Sequence, residues 1–244
     1  MTRLITFGDS NTYGIGLPDV WDGPEGGEYG ESCRWQRAGG LKLTGMFPPS
    51  QFAWPQVLAN KLKIDCINKG IPGSSNKEIW WGIINFKFEP TDIVIVAWSF
   101  FDRSYLLGST HSSHRLSIWK DDKLSKLYFK YFHSKQEQFY DFYLRCNHVE
   151  FLLNDKVSKL KQSNHSEFSL KEVPEFNKVN FIKNIMTRND TVATKPIEVG
   201  KEFGWDFIVD SAADRPTPNS WLTWNHPGVK SHENYANYIK NILC

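Results

Sequence analysis

Three short apolar runs, each bounded by turn residues, govern what this chain can fold into. They are Leu4 to Phe7, Ile64 to Ile67 and Ile93 to Trp98. Each has the length of a buried strand, and the third (Ile-Val-Ile-Val-Ala-Trp) is rich in β-branched residues. Stretches of helical period lie between them. Trp54 to Leu62 sets Val57, Leu58 and Leu62 at helical spacing, and Asn76 to Phe86 follows a Ser-Ser pair suited to capping. Strands that alternate with helices predict an α/β fold: a parallel sheet with helices on both faces.

The rest of the chain is less regular. Residues 18–50 carry many Gly, Pro, Glu and Trp with no period, which predicts a long surface loop of the kind that often serves a site. Residues 115–162 are polar and aromatic with helical spacing and predict two helices, within a mainly helical insertion around 104–165. A weak strand is expected at Phe168 to Leu170 and a last strand at Phe207 to Val209. A closing helix is expected over Asn234 to Leu243, with Tyr235, Tyr238, Ile239 and Ile242 on one stripe. The expectation is a single domain over 1–244.

Bulk properties narrow the function classes. The formal net charge is only +2, and the basic residues are scattered, which argues against a nucleic-acid partner. The cysteines (Cys33, Cys66, Cys146 and Cys244) are far apart and form no CxxC pair, so neither a zinc site nor a disulfide framework is expected. No apolar stretch reaches bilayer length, and the N-terminal apolar run is too short for a secretory segment. A soluble protein with no membrane partner is expected; the oligomeric state is left open. Aromatic residues make up 15% of the chain, with ten Trp, enough to fill a core and also line a sugar or acyl groove.

Two turns stand where such a sheet would bind a ligand, beyond the carboxyl ends of its strands. Gly8-Asp9-Ser10-Asn11-Thr12-Tyr13-Gly14 follows the first strand, and Asn68-Lys69-Gly70-Ile71-Pro72-Gly73-Ser74-Ser75-Asn76 follows the second. A serine on a tight turn there presents its hydroxyl to the crevice. The plainer alternative is that Asp9 and Ser10 only cap a helix. Near the C-terminus, Asn225-His226-Pro227-Gly228 precedes the closing helix and offers a general base.

Together these segments resemble the SGNH (GDSL) hydrolase family. Residues 8–14 match its first block, GDSxxxG. The Asn68–Gly73 turn is similar to its second block, and Asn225-His226-Pro227 to its last, DxxHP. The resemblance implies a three-layer, flavodoxin-like α/β/α sheet and hydrolysis of carboxylic esters, short acyl or acetyl groups on a carbohydrate among them, without a metal or organic cofactor. It implies Ser10 as nucleophile, His226 as base, and the N–H groups of Ser10 and Gly73 as oxyanion donors.

Two blocks depart from the pattern. Ser99-Phe100-Phe101-Asp102 stands where the family has GxND, so Phe101 replaces a donating Asn. Ser99, Asn76 and Arg103 are the candidates for the missing donor, whose loss costs about 3–4 kcal/mol of transition-state stabilisation. Trp98-Ser99-x-x-x-Arg103 is also similar to a variant block in some phage-associated members. Thr223 stands where an Asp orients the base, so either the Thr223 backbone carbonyl or a carboxylate from Asp210 or Asp214 would hold His226. The departures keep an alternative in view: a degenerate binding or structural module of a virion or larger assembly. His111, His114 and His232, and Glu25, Glu28 and Glu31, read as structural or solvated residues.

Overall fold

The computed structural model describes residues 1–15, 17, 19–20, 48–100, 103–107, 113–117, 121–164 and 227–244. Its central element is a sheet of four parallel strands: β1 (Arg3–Gly8), β2 (Asp65–Gly70), β3 (Ile93–Trp98) and, in sheet order last, Lys159–Asn164. The three runs read from the sequence are the first three of these; the third coincides with β3, and the first two differ by one to three residues at the ends. Their order in space is β2-β1-β3 followed by the Lys159–Asn164 strand. Counted along the sheet strands alone this is 2-1-3-4, the flavodoxin-like order, in which the chain reverses direction between β1 and β3.

Alternation along the strands divides the core in two. Ile5, Phe7, Val94, Val96 and Trp98 face one layer, and Leu4, Ile95 and Ala97 face the other. The Leu4 side is covered by α2 (Trp54–Leu62). The Ile5 side is covered by α3 (Asn76–Ile84), reached after the very short α1 (Ser10–Tyr13) and α2 in chain order. This is what right-handed crossovers require: β1 to β2 runs one way across the sheet and β2 to β3 the other, so their helices fall on opposite faces. Ser75 caps α3 in a capping box with Glu78, as the Ser-Ser pair predicts.

After β3 comes an antiparallel hairpin, β4 (Arg103–Leu107) and β5 (Ser113–Ser117). Then come α4 (Lys123–Tyr131), α5 (Lys135–Leu153) and the edge strand β6 (Lys159–Asn164). Around 104–165 the described elements are thus two helices flanked by strands. Furthermore, α5 is a core helix: Phe142, Cys146, Val149 and Leu153 pack on the Ile5 face. β6 escapes a hydrophobic reading because its sequence is polar, Lys-Leu-Lys-Gln-Ser-Asn. Its buried polar groups are satisfied from the core. Trp98 Nε1 donates to Gln162 Oε1 at 2.7 Å, and Gln162 Nε2 donates to the Cys146 carbonyl at 3.2 Å and to Glu150 Oε1 at 3.0 Å.

The closing helix, α6 (Val229–Leu243), starts earlier than Asn234 and packs against α2 on the Leu4 face through Tyr235, Ala236 and Ile239. Burial raises the Tyr235 phenol, whose OH donates to Ser163 Oγ at 3.2 Å. Most of the 18–50 loop and the expected strands at Phe168–Leu170 and Phe207–Val209 lie outside the described residues. No helix among the described residues is long and apolar enough to cross a membrane.

Candidate active site

The site forms where the sheet reverses, at the carboxyl ends of β1 and β3, with the turn after β2 alongside. Gly8 and Gly70 are register partners at the last rung of β1 and β2. A Cβ on Gly8 would fall 2.0 Å from Thr12 Oγ1, and one on Gly70 would fall 2.6 Å from the Tyr13 backbone nitrogen. Glycine at both places lets α1 fold back tightly over the strand ends. Asn68 secures that fold-back: its Nδ2 donates to the Thr12 carbonyl at 2.7 Å and its Oδ1 accepts from Gly70 N at 2.8 Å.

Ser10 opens α1 and is 6% exposed. Asp9 is the residue that caps the helix, its Oδ1 accepting from Asn11 N at 3.0 Å. Ser10 takes no part in capping, and its hydroxyl has no hydrogen-bond partner among the described residues. The capping alternative is therefore right for Asp9 and does not account for Ser10.

The turn after β2 is strapped to β1. Ile71 N donates to the Gly8 carbonyl at 2.9 Å, and Ser74 Oγ donates to the same oxygen at 3.2 Å. Gly73 sits at φ +71° with nothing within 4 Å of where a Cβ would be, so backbone conformation, not space, favours glycine. The N–H groups of Ser10 and Gly73 have no acceptor among the described residues. Arg115 of β5 holds this turn from outside, its Nε pairing with Glu78 Oε1 at 2.6 Å and its Nη1 donating to the Pro72 carbonyl at 3.0 Å.

The three side chains considered for the missing donor are all at this edge, in different employment. Ser99 Oγ donates to Asp9 Oδ2 at 3.0 Å. Arg103 Nη1 donates to Asp9 Oδ2 and to Ser99 Oγ, both at 2.9 Å, and its guanidinium lies 5.0 Å from the Phe100 ring centroid. Asn76, the first residue of α3, accepts from Ser99 N on Oδ1 at 2.7 Å. A backbone N–H is always a donor, so this bond fixes the amide with Nδ2 directed away from it. No described residue accepts from that Nδ2. The Asp9–Ser99–Arg103 cluster was missed in sequence. Asp9 is 90 positions from Ser99 and 94 from Arg103, a separation that a linear motif does not display.

His226, Thr223, Asp210, Asp214, Phe101 and Asp102 lie outside the described residues, as do Glu25, Glu28, Glu31 and His111. Pro227, which follows His226, is buried, and Gly228 is the N-cap of α6. The start of α6 meets the start of α2, where fully buried His232 accepts from Trp54 N on Nδ1 at 3.0 Å. The segment leading into α2 returns to α1, with Ser50 N donating to the Tyr13 carbonyl at 2.9 Å. His114 is exposed on β5. Among the described residues no group of His, Cys, Asp or Glu is arranged to hold a metal.

A cleft of about 470 Å³ adjoins the site, between the hairpin and α5. Asn76 and Arg103 form one end, and Tyr105, Tyr128, Gln138 and Tyr140 line much of the rest. Of its charged residues, Arg145 pairs with Asp141 within the cleft, and Arg103 pairs with Asp9 behind it.

No family model matches the chain, and no curated protein does. Solved structures similar to it include an acetyl xylan esterase from the rumen bacterium Butyrivibrio proteoclasticus (14% identity, TM-score 0.48). The match covers 99% of this chain and 63% of that one. A putative lipolytic protein of the G-D-S-L family from Desulfitobacterium hafniense is similar at 11% identity and TM-score 0.45, with 99% of each chain covered. A family two carbohydrate esterase from Clostridium thermocellum, in complex with cellohexaose, is similar at 9% identity and TM-score 0.44, over 99% of this chain and 63% of that one. The chain thus spans less than two thirds of the two carbohydrate esterases. Likeness of this degree does not set the family, and the α/β fold rests on the parallel strands, their order and the two helical layers.

Proposed function

We propose that the protein is a serine ester hydrolase of the SGNH (GDSL) kind. The observation that carries this reading is the division of labour at the first turn: Asp9 caps α1, and the Ser10 hydroxyl, at the switch point of the sheet, has no partner among the described residues. His226 takes the proton of the Ser10 hydroxyl as Oγ attacks the ester carbonyl. The new oxyanion receives hydrogen bonds from Ser10 N–H, Gly73 N–H and Asn76 Nδ2. His226 then protonates the departing alcohol, and water, activated by the same imidazole, releases the acyl group from Ser10. The Thr223 carbonyl, or a carboxylate of Asp210 or Asp214, orients the far nitrogen of His226.

Asn76 is chosen over Ser99 and Arg103 because the Ser99 hydroxyl proton and the Arg103 Nη1 protons are engaged by Asp9 and Ser99, while the Asn76 amide is oriented by Ser99 N and its Nδ2 has no acceptor among the described residues. It would replace the amide that Phe101 cannot supply. A cleft beside Asn76 lined by tyrosines and by polar side chains such as Ser104 and Gln138 supports a substrate with a polar leaving group, such as a short acyl or acetyl ester of a carbohydrate. The reaction draws on side chains and backbone N–H groups alone. The test is hydrolysis of nitrophenyl acetate by wild type and by Ser10→Ala. Loss of turnover in the variant is expected; equal rates overturn the reading and return the chain to a binding or structural role.

A further inference from the structure

Asp9 poses a problem for any nucleophile at position 10. Its carboxylate is fully buried and belongs to the residue preceding Ser10. Negative charge develops on Ser10 Oγ and on the carbonyl oxygen during attack, and a fixed anion nearby opposes both. The structure sets a cation against that anion. Arg103, whose side chain is 18% exposed, pairs with Asp9 Oδ2 at 2.9 Å and bonds Ser99 Oγ at the same distance, and Ser99 Oγ closes the triangle on Asp9 at 3.0 Å. The triangle is joined to the rest of the site at two points. Asp9 Oδ1 holds Asn11 N and so the start of α1, and Ser99 N holds Asn76 Oδ1.

We infer that Arg103 is a positioning residue for Ser10 and Asn76: it offsets the Asp9 charge and locks the turn after β1 to the turn after β3 through Ser99. The inference rests on the reading of Ser10 as nucleophile. An arginine suits the task because one guanidinium nitrogen serves carboxylate and hydroxyl together while the plane lies over Phe100. A lysine ammonium keeps the charge without the fixed plane. Removing the cation alone leaves Asp9 buried with less compensation; neutralising both partners removes the problem at its source.

The experiment compares wild type, Arg103→Gln, Arg103→Lys, Asp9→Asn and the double variant Asp9→Asn/Arg103→Gln. Two readouts are taken: kcat and KM on nitrophenyl acetate, and the rate at which a fluorophosphonate labels Ser10. Thermal unfolding of each variant separates folding from reactivity. Arg103→Gln is expected to lower kcat and the labelling rate roughly 10- to 100-fold, with KM within about twofold of wild type. Arg103→Lys recovers part of the loss, and the double variant reacts faster than Arg103→Gln alone. The double variant removes both charges of the pair, so it reports even if Arg103→Gln folds poorly. Wild-type labelling rates in Arg103→Gln, or losses in the double variant at least as large as the two single losses combined, overturn the inference. A wild type that is not labelled at all overturns the Ser10 reading itself, and is told apart by needing no variant.

Discussion

The turns after β1 and β3 lie side by side at the carboxyl edge of the sheet, and both carry a buried serine. Ser10 has a hydroxyl with no partner among the described residues, because Asp9 has taken the capping task. Ser99 has its hydroxyl on Asp9 and its N–H on Asn76. One turn presents a group; the other is spent holding it. Residue type does not separate the two serines. What separates them is which hydrogen-bonding capacity the surrounding structure has already used.

The comparison is broken most severely at Ser10. Ser10→Ala should lower kcat on nitrophenyl acetate by on the order of 10⁴-fold or more, while Ser99→Ala should lower it far less and register mainly as a loss of about 1 kcal/mol of stability for one hydrogen bond. Equal kinetic losses in the two would erase the distinction. Next comes Asn76→Ala, expected to reduce kcat by about 10²–10³-fold with KM little changed, as for a single oxyanion donor. A drop confined to KM would make Asn76 a substrate-binding residue instead.

The glycines beneath the first turn supply a structural counterpart. Gly70→Ala places a Cβ against the Tyr13 backbone. It should cost about 1–3 kcal/mol, read by chemical denaturation, with Ser10 labelling slowed in whatever fraction stays folded.

At the opposite, amino edge, β1 and β3 are tied by a different device. Arg3 Nε and Nη2 donate to the two oxygens of Asp92, each at 2.8 Å. Burial works against the Asp92 carboxylate, but the Arg3 fork and the Glu89 N–H outweigh it and lower its pKa. The stabilisation is therefore complete above the unfolded value of about 4 and is lost as pH falls through the lowered native value. Asp92→Asn should flatten the acid limb of stability below about pH 4 while leaving the pH dependence of hydrolysis near neutrality unchanged. An unaltered acid limb would deny the pair this role.

The smallest effect concerns thiols. Burial pushes the Cys66 thiol up to about 12 and Cys146 well above its usual value, whereas Cys244 is exposed. Peptide mapping after iodoacetamide treatment of the folded protein at pH 8 should find Cys244 modified well before Cys66 or Cys146. Early modification of Cys66 would mean that β2 is more open than its packing implies.

Much of this was legible in the sequence because burial there is apolar and periodic. β1 and β3 announce themselves by apolar runs, β2 more weakly by Ile64, Cys66 and Ile67, and α3 by its Ser75 cap. β6 is equally part of the sheet, yet its burial is satisfied by Trp98 and Tyr235 through Gln162 and Ser163, contacts distant in sequence. The β4–β5 hairpin was missed for a related reason. Its hold on the molecule is through Arg115 to Glu78 and Pro72, and through Arg103 to Asp9, ion pairs and carbonyl contacts that leave no periodic trace. In the site, Ser10, Gly73, Asn76, Ser99 and Arg103 were each singled out in sequence, but their division into presented and supporting groups needed the hydrogen bonds.

The central claim is that Ser10 is a nucleophile rather than a helix residue. Intact-mass and peptide analysis after incubation with a fluorophosphonate tests it most directly. A single adduct on Ser10, absent from Ser10→Ala and slowed in His226→Ala, is the predicted result. A folded wild-type protein that acquires no adduct at Ser10 would contradict it.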